Sequence, residues 1–146
     1  ITARNAELTE FGLKALDGNP AIAILGGVRS DRLPIFSVIL ADSMERHFDY
    51  QLFTRALSDL YGVQVRGGCA CAGPYVHRLL NIGDERSKTM RQKILAGDES
   101  DKPGFVRFNL SVLMTDEEAS FVLFAINETA AKWQSIQLWY KSQAAA

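Results

Sequence analysis

The sequence is poor in the residues from which disulfide frameworks and most zinc sites are built. It contains two cysteines, two histidines and four prolines in 146 residues. Cys69 and Cys71 are separated by one residue, a poor spacing for a structural disulfide, and no histidine pair lies nearby to complete a zinc site. This usage predicts a reducing compartment, and we expect the cytoplasm.

Charge of one sign and long apolar runs are also missing. The 16 basic and 17 acidic residues give a formal net charge of -1, which favours neither nucleic acid nor an anionic membrane as a partner. No apolar run approaches the roughly 20 residues of a membrane span, and residues 1–20 contain no apolar stretch typical of a signal peptide. The composition, 47% hydrophobic and 23% charged, is that of an ordinary globular domain.

The pattern of apolar residues predicts alternating helices and strands. Read in order it is α-β-β-α-β-α-α-β-α, which predicts an α+β fold with a largely antiparallel sheet and helices packed on one face. We interpret residues 1–146 as a single domain, with a leading helix over 1–18 and an α+β small domain over 19–146. The predicted helices cover residues 3–16, 49–61, a short stretch from 74, 84–95, and a last helix from Thr115 through Ile136; the predicted strands cover 21–25, 34–40, 63–66 and 105–112.

Two arginines share a predicted strand face. In the strands over 63–66 and 105–112 the apolar residues alternate with polar ones, so Arg66 and Arg107 point away from the apolar face. If the two strands are neighbours, both guanidinium groups project from the same side of the sheet, where they could bind a carboxylate or a phosphate. The alternative is that each is a surface arginine paired with a local acid.

A glycine-rich loop, Arg66-Gly-Gly-Cys-Ala-Cys-Ala-Gly-Pro-Tyr75, follows the first of these strands. A thiol in such a loop, near an arginine and just before a helix, could be exposed and reactive as a thiolate. The alternative is that Cys69 and Cys71 are small packing residues. The spacing does not choose between the two cysteines. His47 and His77 are weaker candidates for a ligand contact.

Four sequence runs together resemble a known family. They are Arg66 to Tyr75, His77-Arg-Leu-Leu-Asn-Ile-Gly83, Lys102-Pro-Gly-Phe-Val-Arg-Phe-Asn-Leu110 and Thr115-Asp-Glu-Glu118. In this order they resemble the C-terminal small domain of class V aminotransferases and cysteine desulfurases, which are pyridoxal-phosphate enzymes of fold type I. The resemblance covers roughly residues 20–136.

The resemblance implies roles for three residues. The catalytic cysteine of the desulfurase branch falls on Cys71, which would accept sulfur from the substrate as a persulfide. The loop arginine falls on Arg66, and the arginine that holds the substrate α-carboxylate falls on Arg107. The desulfurase branch often has histidines where this chain has Cys69 and Ala70, so a transaminase or another lyase stays open as the reaction type.

The resemblance also implies parts that this chain lacks. The cofactor lysine of the family lies in the large domain, and none of the lysines here has its sequence context. The chain begins at Ile1, and we expect a fragment whose parent binds pyridoxal phosphate, acts on an amino acid and forms a homodimer. We expect the chain alone to bind no cofactor and to be inactive. The alternatives are a free-standing binding or interaction module of the same fold and, less favoured, a thiol redox module.

Overall fold

The computed structural model of the chain describes residues 1–41, 48–69, 73–99 and 102–144. These ranges contain six helices and four antiparallel strands, which confirms the predicted α+β class. The elements are α1 (Thr2–Asp17), β1 (Ile22–Ile24), β2 (Ile35–Leu40), α2 (Tyr50–Tyr61), β3 (Arg66–Gly68), α3 (Gly73–Leu79), α4 (Asp84–Leu95), β4 (Phe105–Asn109), α5 (Asp116–Ala131) and α6 (Trp133–Ala144).

The sheet has the strand order β1-β2-β4-β3, so β2 and β4 are its central strands. Phe36 pairs with Phe108 and Val38 pairs with Val106 across these two strands. All four side chains are buried, and the two phenylalanine rings stack with their centroids 5.2 Å apart. One face of the sheet is therefore an apolar surface that must be covered.

Helices α1, α2 and α5 cover this apolar face and contact one another or the sheet. Their buried residues belong to the same hydrophobic core as the strands, with Leu8, Phe53 and Ile126 each no more than 1% exposed. The opposite face of the sheet is only partly covered. There Tyr75 and Val76 of the short helix α3 line a cleft together with residues of β2 and β4. The expectation of helices on one face thus holds for the three helices that close the core.

The predicted start of α5 is confirmed in detail. The Thr115 hydroxyl accepts the backbone N–H of Glu118 at 3.2 Å, and the Glu118 carboxylate accepts the backbone N–H of Thr115 at 2.8 Å. This reciprocal capping box satisfies two N–H groups that have no partner inside the helix. It fixes the direction in which the chain leaves β4 and enters α5.

The predicted strand over 63–66 is wrong at its start, because β3 begins only at Arg66. Helix α2 ends at Gly62 in the left-handed region, with φ of +66°, which glycine adopts without steric cost. The backbone N–H of Val63 then bonds back to the Leu57 carbonyl at 3.1 Å, so Val63 completes the helix end instead of entering the sheet. Arg66 nevertheless keeps its predicted place in a strand.

The chain after β4 also differs from the prediction. β4 ends at Asn109 rather than at residue 112, because the chain turns there, with the Met114 N–H bonded to the Ser111 carbonyl at 3.0 Å. The predicted last helix is divided at Lys132 into α5 and α6. The break accompanies burial of Trp133, whose ring packs 5.3 Å from that of Phe53 on α2.

Helix α6 is tied to α2 by a polar cluster near the surface. The Tyr140 hydroxyl donates to the Asp59 carboxylate at 2.8 Å, and the Arg55 Nε donates to the same oxygen at 3.2 Å. The hydrogen bond from Tyr140, aided by Arg55, lowers the pKa of Asp59 below its usual value. These contacts keep the carboxyl ionised and hold the two helices together.

Helix α1 approaches the sheet closely at Gly12. A Cβ atom at this position would lie 2.3 Å from Cζ of the buried Phe36 ring. We expect Gly12→Ala to lower the free energy of unfolding by about 1–3 kcal/mol, because overpacking the core outweighs the better helix propensity of alanine. Urea denaturation measures the difference. Gly18→Ala, where a Cβ would meet only ordinary contacts at 3.5 Å or more, is the matched control and should change stability little. A Gly12→Ala protein as stable as the wild type would contradict this packing.

Candidate functional site

The candidate site lies on the less covered face of the sheet, where Arg66 and Arg107 meet. β3 pairs with β4 in an antiparallel register that places Arg66 directly opposite Arg107. Ser37 of β2 lies opposite Arg107 on its other side. Residues directly opposite in a sheet project to the same face, so the predicted juxtaposition of the two arginines is confirmed. Their role in substrate binding stays a prediction. We call Arg66 and Arg107 the arginine pair.

The arginine pair carries two positive charges that no ion pair neutralises within the described residues. Arg4, Arg29 and Arg55 each form an ion pair, with N–O distances of 2.7, 2.5 and 3.2 Å. Across the described ranges, neither Arg66 nor Arg107 forms one. Like charges directly opposite in a sheet destabilise it. The alternative of two arginines paired with local acids is therefore not observed for any acid that the structure describes, and an anion between them would relieve the repulsion.

Three clefts border the arginine pair, and each is named here by one aromatic residue. The Tyr50 cleft, of about 600 Å³, contains both arginines together with Lys102 and the start of the cysteine loop at Gly68 and Cys69. The Tyr75 cleft, of about 440 Å³, contains Arg107. The Phe121 cleft, of about 670 Å³, contains both arginines and Glu118 of α5 among apolar and uncharged polar residues. Arg107, which is half-buried, therefore reaches all three clefts.

Tyr50 forms a rigid wall of the cleft named after it. Its ring packs so closely against Gly104 that a Cβ there would lie 2.4 Å from a ring carbon. A Cβ on Gly67 of β3 would lie 3.0 Å from the same ring. Burial raises the pKa of the Tyr50 hydroxyl, so it stays protonated at neutral pH and acts as a hydrogen-bond donor.

The Tyr75 cleft differs from the Tyr50 cleft because an acidic residue, Asp31, lies in its lining beside the arginines. Arg29 forms an ion pair with Asp31, and both residues line the cleft. Arg32 donates to the backbone carbonyls of Gly27 and Ile35, which fixes the loop between β1 and β2. Arg107 and Arg32 are therefore the cations of this cleft that form no ion pair with a residue the structure describes.

The structure describes only part of the predicted thiol loop, residues 66–69 and 73–75. Cys69 is a half-buried free thiol that lines the Tyr50 cleft. Cys71, the predicted catalytic residue, lies outside the described residues, as does His47. His77 lies half-buried on α3, where it lines none of the three clefts. In the described part of the chain no cluster of three or more His, Cys, Asp or Glu side chains could hold a metal ion.

The cofactor that the sequence resemblance implies finds no covalent anchor at this site. Among the described residues that line the three clefts, Lys102 is the only lysine. Its ammonium group bonds to the Glu99 carboxylate at 3.2 Å, and this raises its pKa. A lysine that forms a Schiff base needs the opposite shift, toward the neutral amine. Lys102 does not fit that role.

Comparison of the chain with known protein families and with curated proteins finds no match. Within the described ranges, no helix is both long and apolar enough to cross a membrane.

Sequence reasoning missed two residues of the site, Tyr50 and Lys102. The sequence places Tyr50 only within the predicted helix over 49–61. It places Lys102 only at the start of the run from Lys102 to Leu110 that resembles the family. Both reach the Tyr50 cleft through contacts between elements far apart in the chain. One local signal was present in the sequence. Lys102, Pro103 and Gly104 directly precede β4, and Gly104 packs against the Tyr50 ring.

The charge repulsion within the arginine pair is measurable. We expect Arg66→Gln to raise the free energy of unfolding by about 0.2–1 kcal/mol at low salt. The gain should shrink as salt screens the two charges. Denaturation at two salt concentrations gives the difference, with Arg86→Gln as the control because Arg86 is exposed on α4 and lines none of the three clefts. An Arg66→Gln protein less stable than the wild type by an amount independent of salt would rule out the repulsion.

Proposed function

We propose that this chain is the small domain of a pyridoxal-phosphate-dependent enzyme similar to class V aminotransferases and cysteine desulfurases, and that it binds the α-carboxylate of an amino-acid substrate. The observation that carries the proposal is the arginine pair: two arginines directly opposite one another in the strand register, which form no ion pair in the described part of the chain. Sequence reasoning reaches the same two residues from the family resemblance and from strand alternation.

The chemistry of the arginine pair suits a carboxylate. Each guanidinium group is planar, permanently charged and able to donate two parallel N–H bonds to the two carboxylate oxygens. Arg107 is held by a central strand that is hydrogen-bonded on both sides, so its backbone position is fixed. In such an enzyme the cofactor, when bound by the large domain, supplies the electron sink that activates the substrate. This chain would bind and orient the substrate.

The cysteine loop gives the proposal its second part. β3 leads directly from Arg66 to Cys69, which lines the Tyr50 cleft, and Cys71 follows two residues later in the sequence. We propose Cys71 as the thiol that accepts sulfur if the parent enzyme is a cysteine desulfurase. Transamination, or another lyase reaction, is the alternative, because these reactions need the arginine pair but not the thiol.

The proposal also includes the parent enzyme of which this chain would be a part. The parent would be a cytoplasmic homodimer whose large domain packs against this one. A second candidate function is a free-standing binding module that recognises a carboxylate without catalysis. Recognition of this kind would need only the arginine pair, which the strand register of this chain supplies.

Carboxylate binding can be tested on the chain itself. We expect that titration of the chain with free alanine shifts the NMR signals of residues around the arginine pair. Arg107→Ala should weaken its binding about tenfold or more, because hydrogen bonds to a charged group are lost. Arg107→Lys should weaken it less, since the charge remains, and Arg86→Ala should leave it unchanged. If the Arg107→Ala protein bound alanine as tightly as the wild type, the arginine pair would not be the carboxylate site.

The reaction type can be tested in the longer enzyme. We expect Cys71→Ala to abolish sulfur release from cysteine if the thiol accepts the sulfur atom, and to leave transamination intact. Cys69→Ala is the matched control and should preserve both activities. The readouts are sulfide release with a reductant and keto-acid formation. Full sulfide release by the Cys71→Ala enzyme would remove this thiol from the mechanism.

A further inference from the structure

The Tyr50 cleft carries more positive charge than one α-carboxylate requires. Arg66, Arg107 and Lys102 all line it, and none of the described residues in its lining is an Asp or Glu. The whole chain has a net charge of -1, so this is a local concentration of positive charge. The Tyr75 cleft, in contrast, contains Asp31 beside its own arginines. A single carboxylate bound by the arginine pair would leave Lys102 facing the ligand.

The ion pair with Glu99 does not prevent Lys102 from binding a ligand. Its partner Glu99 is not part of the cleft lining, and the two side chains are 39% and 61% exposed. An exposed pair of this kind contributes only about 0–1 kcal/mol, so an anion inside the cleft can compete for the ammonium group. Glu99 also raises the pKa of Lys102, which keeps the lysine charged at neutral pH.

Tyr50 adds a neutral donor next to this cation. Its hydroxyl makes no hydrogen bond to any residue that the structure describes, and its raised pKa keeps the proton in place. The neighbouring Thr54 hydroxyl is already used, because it donates to the Tyr50 backbone carbonyl at 2.7 Å. Once the arginine pair is occupied, Lys102, Tyr50 and the amide of Gln51 are side-chain donors left for a second group of the ligand, and Lys102 is the charged one.

We infer that the amino acid bound by the arginine pair carries a second anionic group, a carboxylate or a phosphate on its side chain, which Lys102 binds with Tyr50 as an additional donor. The inference rests on the proposed function. It favours an acidic or phosphorylated amino acid over cysteine, because an ordinary cysteine thiol, with a pKa of about 8.5, is mostly neutral at pH 7.

The test compares three ligands on the chain at constant ionic strength: alanine, glutamate and O-phosphoserine. We expect at least one of the two acidic ligands to bind about tenfold more tightly than alanine, which is the gain typical of one charge-assisted hydrogen bond. Lys102→Gln should remove most of that gain, whereas alanine, which has no second anionic group, should lose much less affinity than the acidic ligands. Lys88→Gln is the matched control, because Lys88 also pairs with a glutamate three residues away, Glu85, but lies on α4 outside the clefts.

The outcomes separate this inference from the proposed function. Tighter binding of glutamate, of O-phosphoserine or of both supports the inference and identifies the anionic group. Equal affinities for all three ligands, or a gain that survives Lys102→Gln, overturn it. If alanine binding still depends on Arg107 in that case, the proposed function stands. If no ligand binds and Arg107→Ala changes nothing, both proposals are overturned.

Discussion

Burial of the apolar face of β4 is the constraint on which the rest of the structure depends. Val106 and Phe108 are fully or almost fully buried against the helices, and Arg107 between them must therefore point to the opposite face. A register slip of one residue would bury the arginine and expose the valine, which fixes the strand firmly. The hydrophobic core thus sets the position of a charged side chain that it does not contact. The pairing with β3 then brings Arg66 beside it.

The consequence is a site in which two like charges lie directly opposite one another in the sheet, and their repulsion lowers the stability of the fold. Elsewhere in the described chain most arginine and lysine contacts are made to nearby acids, often within one helical turn. Over the same described residues the arginine pair forms no ion pair, and its charges are placed by strands that the core holds in register. An arrangement of this kind is typical of sites where a ligand supplies the missing charge. The Tyr50 cleft extends it with a lysine and a phenol.

The sequence was most informative where a local rule decides the structure. The capping box at Thr115 and the alternation around Arg107 predicted both the start of α5 and the face of each β4 residue. The late start of β3 could not be read in the same way, because Val63 and Val65 alternate as a strand would, while Gly62 turns the chain and engages Val63 in the helix end. The Tyr50 cleft lay beyond sequence reasoning, since Tyr50 and Lys102 meet only through the tertiary fold. The break at Lys132 likewise follows from burial of Trp133.

The strand order places the two shortest strands at the edges of the sheet. Its two edge strands, β1 and β3, have three residues each, whereas the central strands have six and five. Short edges present few unpaired backbone groups, and a charged side chain on an edge disfavours the addition of another strand. Arg66 lies on one of these edges. The charge of Arg66 therefore also opposes edge-to-edge association between copies of the protein, and an anion that neutralised it would weaken that protection.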